Sequence, residues 1–508
     1  MIKKGLVAFA ILFLIIGCEK NDDSNDSSEE MVNENPSTFK EIGSLTIGGT
    51  GAAEISAYDE TTKRLFTVNN SSTNKIDVID ISDPTKPTLV ASIDLAPYSG
   101  AANSVTTFNG KLAVAMESKI NKQDPGKVVV FETSNYALVK EVTVGALPDM
   151  ITYSHDGKFI LTANEGEPND DYSQDPDGSV SIIDIASNYA VTTLNFASFS
   201  SELATLKTKG FRIASATNNF AADIEPEYIT VSADSKTAWV TLQENNGIAK
   251  IDLTTKKITQ IFPLGYKDYS LAENAIDISD KDGAIAFNTW KLKGMFQPDA
   301  ISNFEMNNVQ YLVTANEGDA REYSAFTDVK RINNSSVVLD PAIFPNAVAL
   351  KADASMGRLN INTKMGDIDG DGDFDELVGF GARSFSIWNG ATGQLVFDSK
   401  NELDRKANDF GVYDDGRSDD KGAEPEAVYT AKMGDKQILF VGLERADAVM
   451  MYDISIPTAP KYLQALKTGD APEGVFYIPA SKSPTKRSLL VVSSEGDGTV
   501  KIYQPDLN

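Results

Sequence analysis

One cadence recurs seven times along this chain and restricts its fold more than any other feature. An acidic or amide residue opens a short apolar strand. A turn follows, then a second strand running into Asn or Glu. After a loop comes a third strand of the form V-x-I-x-D-I. The third copy reads PDMITYSHDGKFILTANEG, a polar loop, then GSVSIIDI. A repeat of about 40–70 residues built only from strands specifies a β-propeller. The reading is therefore all-β: a seven-bladed β-propeller over residues 39–508.

The first six copies are each followed by another short strand, such as LVASIDL or YLQAL, which forms the outer edge of the blade. The seventh has none before Asn508. The segment EIGSLTIGG at 41–49 is expected to supply it, so that the N-terminal strand pairs into the last blade and closes the ring. Three stretches break the rhythm. Residues 196–222 contain SSELATLKTKG, a short helix by pattern. Residues 263–296 lengthen the passage between blades four and five. Residues 321–380 form a large insertion inside blade five. Loops this long in a compact domain are functional or mobile.

The N-terminus is a separate matter. Lys3 and Lys4 precede an apolar run, Gly5 to Gly17, which ends at Cys18. That is the charge and length of a secretory signal, too short to span a bilayer. Ile15-Ile16-Gly17-Cys18 resembles a bacterial lipobox, with Ile where Leu is more usual. Residues 1–17 are read as a lipoprotein signal peptide and Cys18 as the lipidated mature N-terminus. The plainer alternative is an ordinary cleaved signal with an incidental Cys. Cys18 is the single cysteine, so no disulfide forms within the chain. Residues 18–38 are acidic and nearly devoid of apolar side chains, the composition of a disordered tether. The expected location is a bacterial cell envelope, at the outer membrane or cell surface, with the membrane contacted through the lipid alone.

The formal charge is −27, from 46 Lys and Arg against 73 Asp and Glu. Nucleic acid is excluded as a partner, because neutralising phosphates needs a basic surface. Cations, or an extracellular or periplasmic ligand, are expected instead. The blade-five insertion carries an explicit cation motif: Asp367, Asp369, Asp371, Asp373 and Asp375 at positions 1, 3, 5, 7 and 9, with Gly372 at position 6. This spacing wraps alternate oxygens around one hard ion, and the glycine permits the sharp turn. Asp373 is expected to offer its backbone carbonyl. Position 12 is Val378 rather than Glu, and an apolar strand follows in place of a helix, so the loop resembles the calcium hairpin of FG-GAP repeats. The plainer alternative is a solvated acidic turn. Calcium is the expected cofactor.

The cadence also predicts a ring. Neighbouring strands of a blade are antiparallel, so the start of the first strand and the end of the second share one edge. The first position is held by Glu54, Asn103, Asp149, Glu227, Asp299, Glu426 and Glu473. The second is held by Asn69, Glu117, Glu165, Glu244, Glu317, Glu444 and Glu495. Two carboxylates about 6 Å apart at an effective dielectric near 20 repel by ~3 kcal/mol. Such a ring calls for metal ions, arginines or protonation. Arg321, Arg383 and Arg445 stand nearby in sequence, giving the ingredients for a cation plus an anion held by Arg. The structural alternative is that these acids cap backbone N–H groups. His155 is the single histidine and sits in a turn, which rules out a Ser-His-Asp triad and a His-rich zinc site.

Seven stretches together resemble the choice-of-anchor I family of surface-anchored bacterial propellers, which includes proteins named for a mesenchyme-specific cell surface glycoprotein. They are TANEGEPNDDY, FQPDAI, TANEGDAREY, GDIDGDGDFDELVGFGARSFSIW, GRSDDKGAEPEAV, LERADAVMMYDI and APEGVFYIP. The resemblance implies fold and location and says little about activity. Two functional readings follow. One is a calcium-stabilised binding or scaffold module. The alternative is a calcium-dependent hydrolase, a phosphatase, phosphodiesterase or lactonase working at the channel mouth with carboxylates, arginine and a hard metal.

Overall fold

In the computed structural model, which describes Met1, residues 32–213 and residues 219–508, the chain is all-β and propeller-like. The signal peptide, Cys18 and most of the tether lie outside the described residues. Among the described residues, seven sheets have four strands each, all antiparallel. Six of them follow chain order and span 52–94, 102–146, 148–195, 226–263, 301–398 and 425–467. The seventh comprises Pro472–Ile478, Leu489–Ser494 and Thr499–Leu507, with Glu34–Thr46 on its outer edge.

Burial grades from inner to outer strands, and the sequence follows it. Leu489–Ser494 is buried along its whole length, as a strand covered on both faces must be. Thr88–Asp94, at an outer edge, is mostly exposed. The opening strand of each sheet packs against that of the next, and the seventh against the first. At that last contact a Cβ on Gly474 would fall 2.6 Å from the Glu54 carbonyl, so the two backbones approach as only glycine allows.

The N-terminal strand pairs antiparallel with the last one, Glu34 opposite Leu507 and Thr46 opposite Thr499. It covers Glu34–Thr46 rather than 41–49, so the folded body starts inside the stretch read as tether, ahead of residue 39. Composition misled here because the polar segment finds specific partners. The Glu34 carboxylate accepts from Arg487 Nε and from the Ser488 N–H, both at 2.9 Å. Phe39, the first large apolar residue after the polar segment, packs edge-on against Phe440 at 5.8 Å between centroids.

The three interruptions behave differently. A short helix does form at Leu203–Lys207, behind a 3-10 turn at Ala197–Glu202. The other two stretches, read separately from sequence, fold as one. Lys293–Met295 pairs in parallel with Val378–Gly379 and antiparallel with Tyr266–Asp268. Tyr269, Ile276 and Leu292 share a core with Phe344, Ile361 and Leu377. A helix after sheet five, Glu402–Phe410, was not legible in the strand cadence.

Candidate functional site

The ring residues are presented by a local device. In six of the seven sheets the register between the first and second strands slips where the ring residue sits, as between Pro148 and Ile151 around Asp149. A bulge leaves its extra residue outside the ladder and re-aims the side chain. The backbone ahead of the acid is strained as well. Leu147, Gln297, Glu424 and Ala471 all have left-handed φ values of 44–54° and precede Pro148, Pro298, Pro425 and Pro472. Each such non-glycine residue costs ~1–3 kcal/mol, a load found at binding and catalytic sites. The next residues are Asp149, Asp299, Glu426 and Glu473. This recurring Pro-acid pair is a sequence signal that the strand cadence alone passes over.

The outcome is one cavity of about 100 Å³ lined by Asn103, Asp149, Glu227, Asp299, Glu426 and Glu473. Glu54 stands beside it, and its carboxylate accepts a hydrogen bond from Asn70 Nδ2 at 2.8 Å. Asn70, not Asn69, fills the second ring position of sheet one. Asn69 turns inward and donates to Asp77 at 2.7 Å. Among the described residues, the carboxylates of Asp149, Glu165, Glu227, Asp299, Glu426, Glu473 and Glu495 accept no hydrogen bond and form no ion pair. The capping role is therefore not theirs.

Burial and mutual repulsion hold protons on this face. Desolvation, then Glu495 and Asp149, push Glu54 up to about 8. Desolvation, then Glu167, push Asp149 up to about 7. Glu165, Glu227, Asp299, Glu426 and Glu473 lie well above the usual carboxylate range, first from desolvation and then from neighbouring carboxylates, led by Asp149, Glu165, Glu317, Glu444 and Glu54 respectively.

Two trios bring carboxylate oxygens within 4.8 Å of one another: Asp149 with Glu165 and Glu227, and Glu317 with Glu424 and Glu444. The second is neutralised internally. Lys421 pairs with Glu317, lies 3.4 Å from Glu424 and donates to the Gly318 carbonyl at 2.8 Å. Arg445 sits 2.9 Å from Glu444 and 3.7 Å from Glu424. Desolvation and then Glu317 push Glu444 up to about 7, against Arg445. Lys421 and Glu424 were missed because their sequence signal is a single charged stretch, GRSDDKGAEPEAV.

Two expected arginines do not face a ligand. Arg321 is buried, 3.1 Å from Glu225 and 3.5 Å from Asp223, and donates to the Asp223 carbonyl at 2.8 Å. Arg383 is buried too, donating at 2.8 Å to the carbonyls of Asp277, Ser418 and Asp420. Both clamp long connections in place. Of the three, Arg445 alone reaches the ring with an exposed side chain, 44% accessible.

The acidic loop of the insertion is wound tightly. Gly370 and Gly372 have φ of 81° and 100°, and Asp367 accepts from their N–H groups at 2.7 and 3.1 Å. The five carboxylates divide in two. Asp367, Asp369 and Asp371 offer oxygens within 4.8 Å of one another. Asp373 and Asp375 do so with Asp340, from the far side of the insertion. Asp373 thus contributes a carboxylate to the cluster, where the loop motif pointed to its carbonyl. Desolvation, then Asp371 and Asp340, push it upward.

Among the described residues, no helix is long and apolar enough to cross a membrane. The choice-of-anchor I domain model matches residues 54–457. Gigasin-3a of Magallana gigas is 27% identical over 189 residues, which cover 30% of this chain and 66% of that protein, just under two thirds of its length. The WD40 domain of Toxoplasma gondii coronin superposes with a TM-score of 0.49 at 7% identity, covering 94% of this chain and 89% of that one. The β-propeller domain of Myceliophteria thermophila Cps50 (Swd1) gives 0.46 at 8%, covering 92% and 100%. Scores this low bear no weight; the strand pairing itself carries the fold.

Proposed function

Because the chain belongs to the choice-of-anchor I family, we propose that it is a calcium-stabilised binding module, lipid-anchored through Cys18 on a bacterial cell envelope. In this reading the seven sheets are the blades of one closed ring, sealed by the N-terminal strand, and residues 18–33 are the tether. Calcium binds the loop at Asp367, Asp369 and Asp371, with Asp373 and Asp375 behind them. The ligand docks on the axial face.

One observation carries the binding role. Acids from successive sheets are bulged out of their ladders into one cavity, at a cost in strain and desolvation, without protein partners among the described residues. Such an arrangement is built to meet something from outside. The hydrolase alternative fits less well. It calls for arginines able to hold an anion beside a metal, and Arg321 and Arg383 are taken up in buried contacts.

Metabolic labelling with an alkyne fatty acid tests the anchor. The wild-type protein is expected to take the label and fractionate with the envelope, and Cys18→Ala to lose both. Envelope retention of an unlabelled Cys18→Ala protein would overturn it. For binding, the intact protein should retain a ligand from spent medium or envelope extract, and Glu426→Gln with Glu473→Gln should release it. Retention unchanged by these substitutions would remove the axial face from the proposal.

A further inference from the structure

The two halves of the axial face are built differently. At sheets five and six, Glu317 and Glu444 meet Lys421 and Arg445, cations supplied by the chain itself. At sheets three and four the same positions are Asp149, Glu165, Glu227 and Glu244, and no ion pair among the described residues reaches the first three. Their oxygens nevertheless converge within 4.8 Å. A hard cation binding carboxylate oxygen at about 2.3–2.6 Å spans that distance.

Glu244 adds an independent indication. It is only 9% exposed, and its Oε2 has no hydrogen-bond partner. It stands near enough to Glu165 and Glu227 for its charge to raise both carboxyls. Of the two guanidiniums whose charge acts on it, Arg321 is already held between Glu225 and Asp223, and Arg212 pairs with Asp328 and donates to the Glu244 carbonyl. The Glu244 Oε2 is thus buried without a hydrogen-bond donor, and the charges of Arg321 and Arg212 act on it without a direct ion pair, a costly state that a cation at the trio would relieve.

We propose that Asp149, Glu165, Glu227 and Glu244 form a second divalent-cation site, on the axial face between sheets three and four and distinct from the loop at Asp367–Asp375. The donor set is all carboxylate, which selects a hard ion such as Ca²⁺, Mg²⁺ or Mn²⁺ over Zn²⁺ or Cu²⁺. Each sheet gives one ligand from its opening strand and one from just beyond its second strand, so the site exists only where two sheets meet. Asp149 and Glu227 also line the cavity, which gives the ion an open side toward an anionic group of a ligand. The site stands whether or not the protein is a surface binding module.

Metal analysis of the intact, detergent-solubilised protein decides this, with Ca²⁺ and Mn²⁺ as probes after chelator treatment. The wild type is expected to bind ions in two classes. Asp369→Ala with Asp371→Ala should abolish one class and leave one ion per chain. Asp149→Asn with Glu227→Gln should weaken that remaining class by at least about ten-fold and spare the loop class. Both substitutions remove repulsion, so the variant should fold; Glu317→Gln, in the lysine-neutralised half, should leave the stoichiometry unchanged. If the loop variant binds no divalent ion up to about 10 mM, the site does not exist. That arm decides the matter even if the ring variant fails to fold. Two full classes in a folded Asp149→Asn, Glu227→Gln protein would equally overturn it. None of these outcomes bears on the anchoring test.

Discussion

Glu54 shows how a single side chain links the ring to stability. Burial and its neighbours raise its carboxyl to about 8, against an ordinary 4.5. The folded state therefore binds this proton more tightly than the unfolded chain does. Its contribution is complete below pH 4.5 and disappears as pH rises through about 8, a change of up to ~5 kcal/mol. In chelator, denaturant stability should fall between about pH 5 and pH 9, and Glu54→Gln should flatten that slope. Equal slopes would mean the proton is not held there. The acidic loop makes the opposite demand, because its exposed carboxylates repel one another when ionised. Chelation should lower the wild-type melting temperature by about 1–2 degrees, for a loss of ~1–2 kcal/mol, and have little effect on Asp369→Ala with Asp371→Ala. A wild-type melt indifferent to chelator would sink the calcium loop.

At the level of elements, the N-terminal strand matters beyond its hydrogen bonds. Phe39 is 4% exposed and packs against Phe440 of sheet six, in a core shared with Tyr477 of sheet seven. Phe39→Ala should cost ~3–5 kcal/mol in a denaturant melt. A loss below about 1 kcal/mol would show that the strand merely covers an edge. Element existence was largely legible in the sequence, since the two-residue alternation and turn residues are local signals. Element ends were less so. The strand starts at Glu34 because Arg487 and Ser488, far away in sequence, receive a polar segment that composition assigns to solvent. The ring position of sheet one moved by one residue, from Asn69 to Asn70, and a shift of one reverses which way a side chain points.

For the molecule as a whole, the passage 263–296 and the insertion 321–380 act as one unit. Phe344, 2% exposed in their shared core, should cost ~3–5 kcal/mol when changed to Ala and should open both segments to limited proteolysis together. Cleavage confined to one segment would contradict a common core.

By itself, the sequence determined the all-β class, the repeating sheets and the acids at each sheet's opening position, because each rests on a pattern only a few residues long. It also determined the acidic loop, whose carboxylate spacing is contiguous. What only the tertiary structure decided was how charges are paired. Arg321 and Arg383 belong to buried clamps and Lys421 to the ring, and Asp340 joins Asp373 and Asp375. An ion pair forms between whichever opposite charges the fold brings close, and for Arg321 and Lys421 the partners come from other connections, while Asp340 meets Asp373 and Asp375 across more than thirty residues of one insertion. Proximity along the chain carries little information about that.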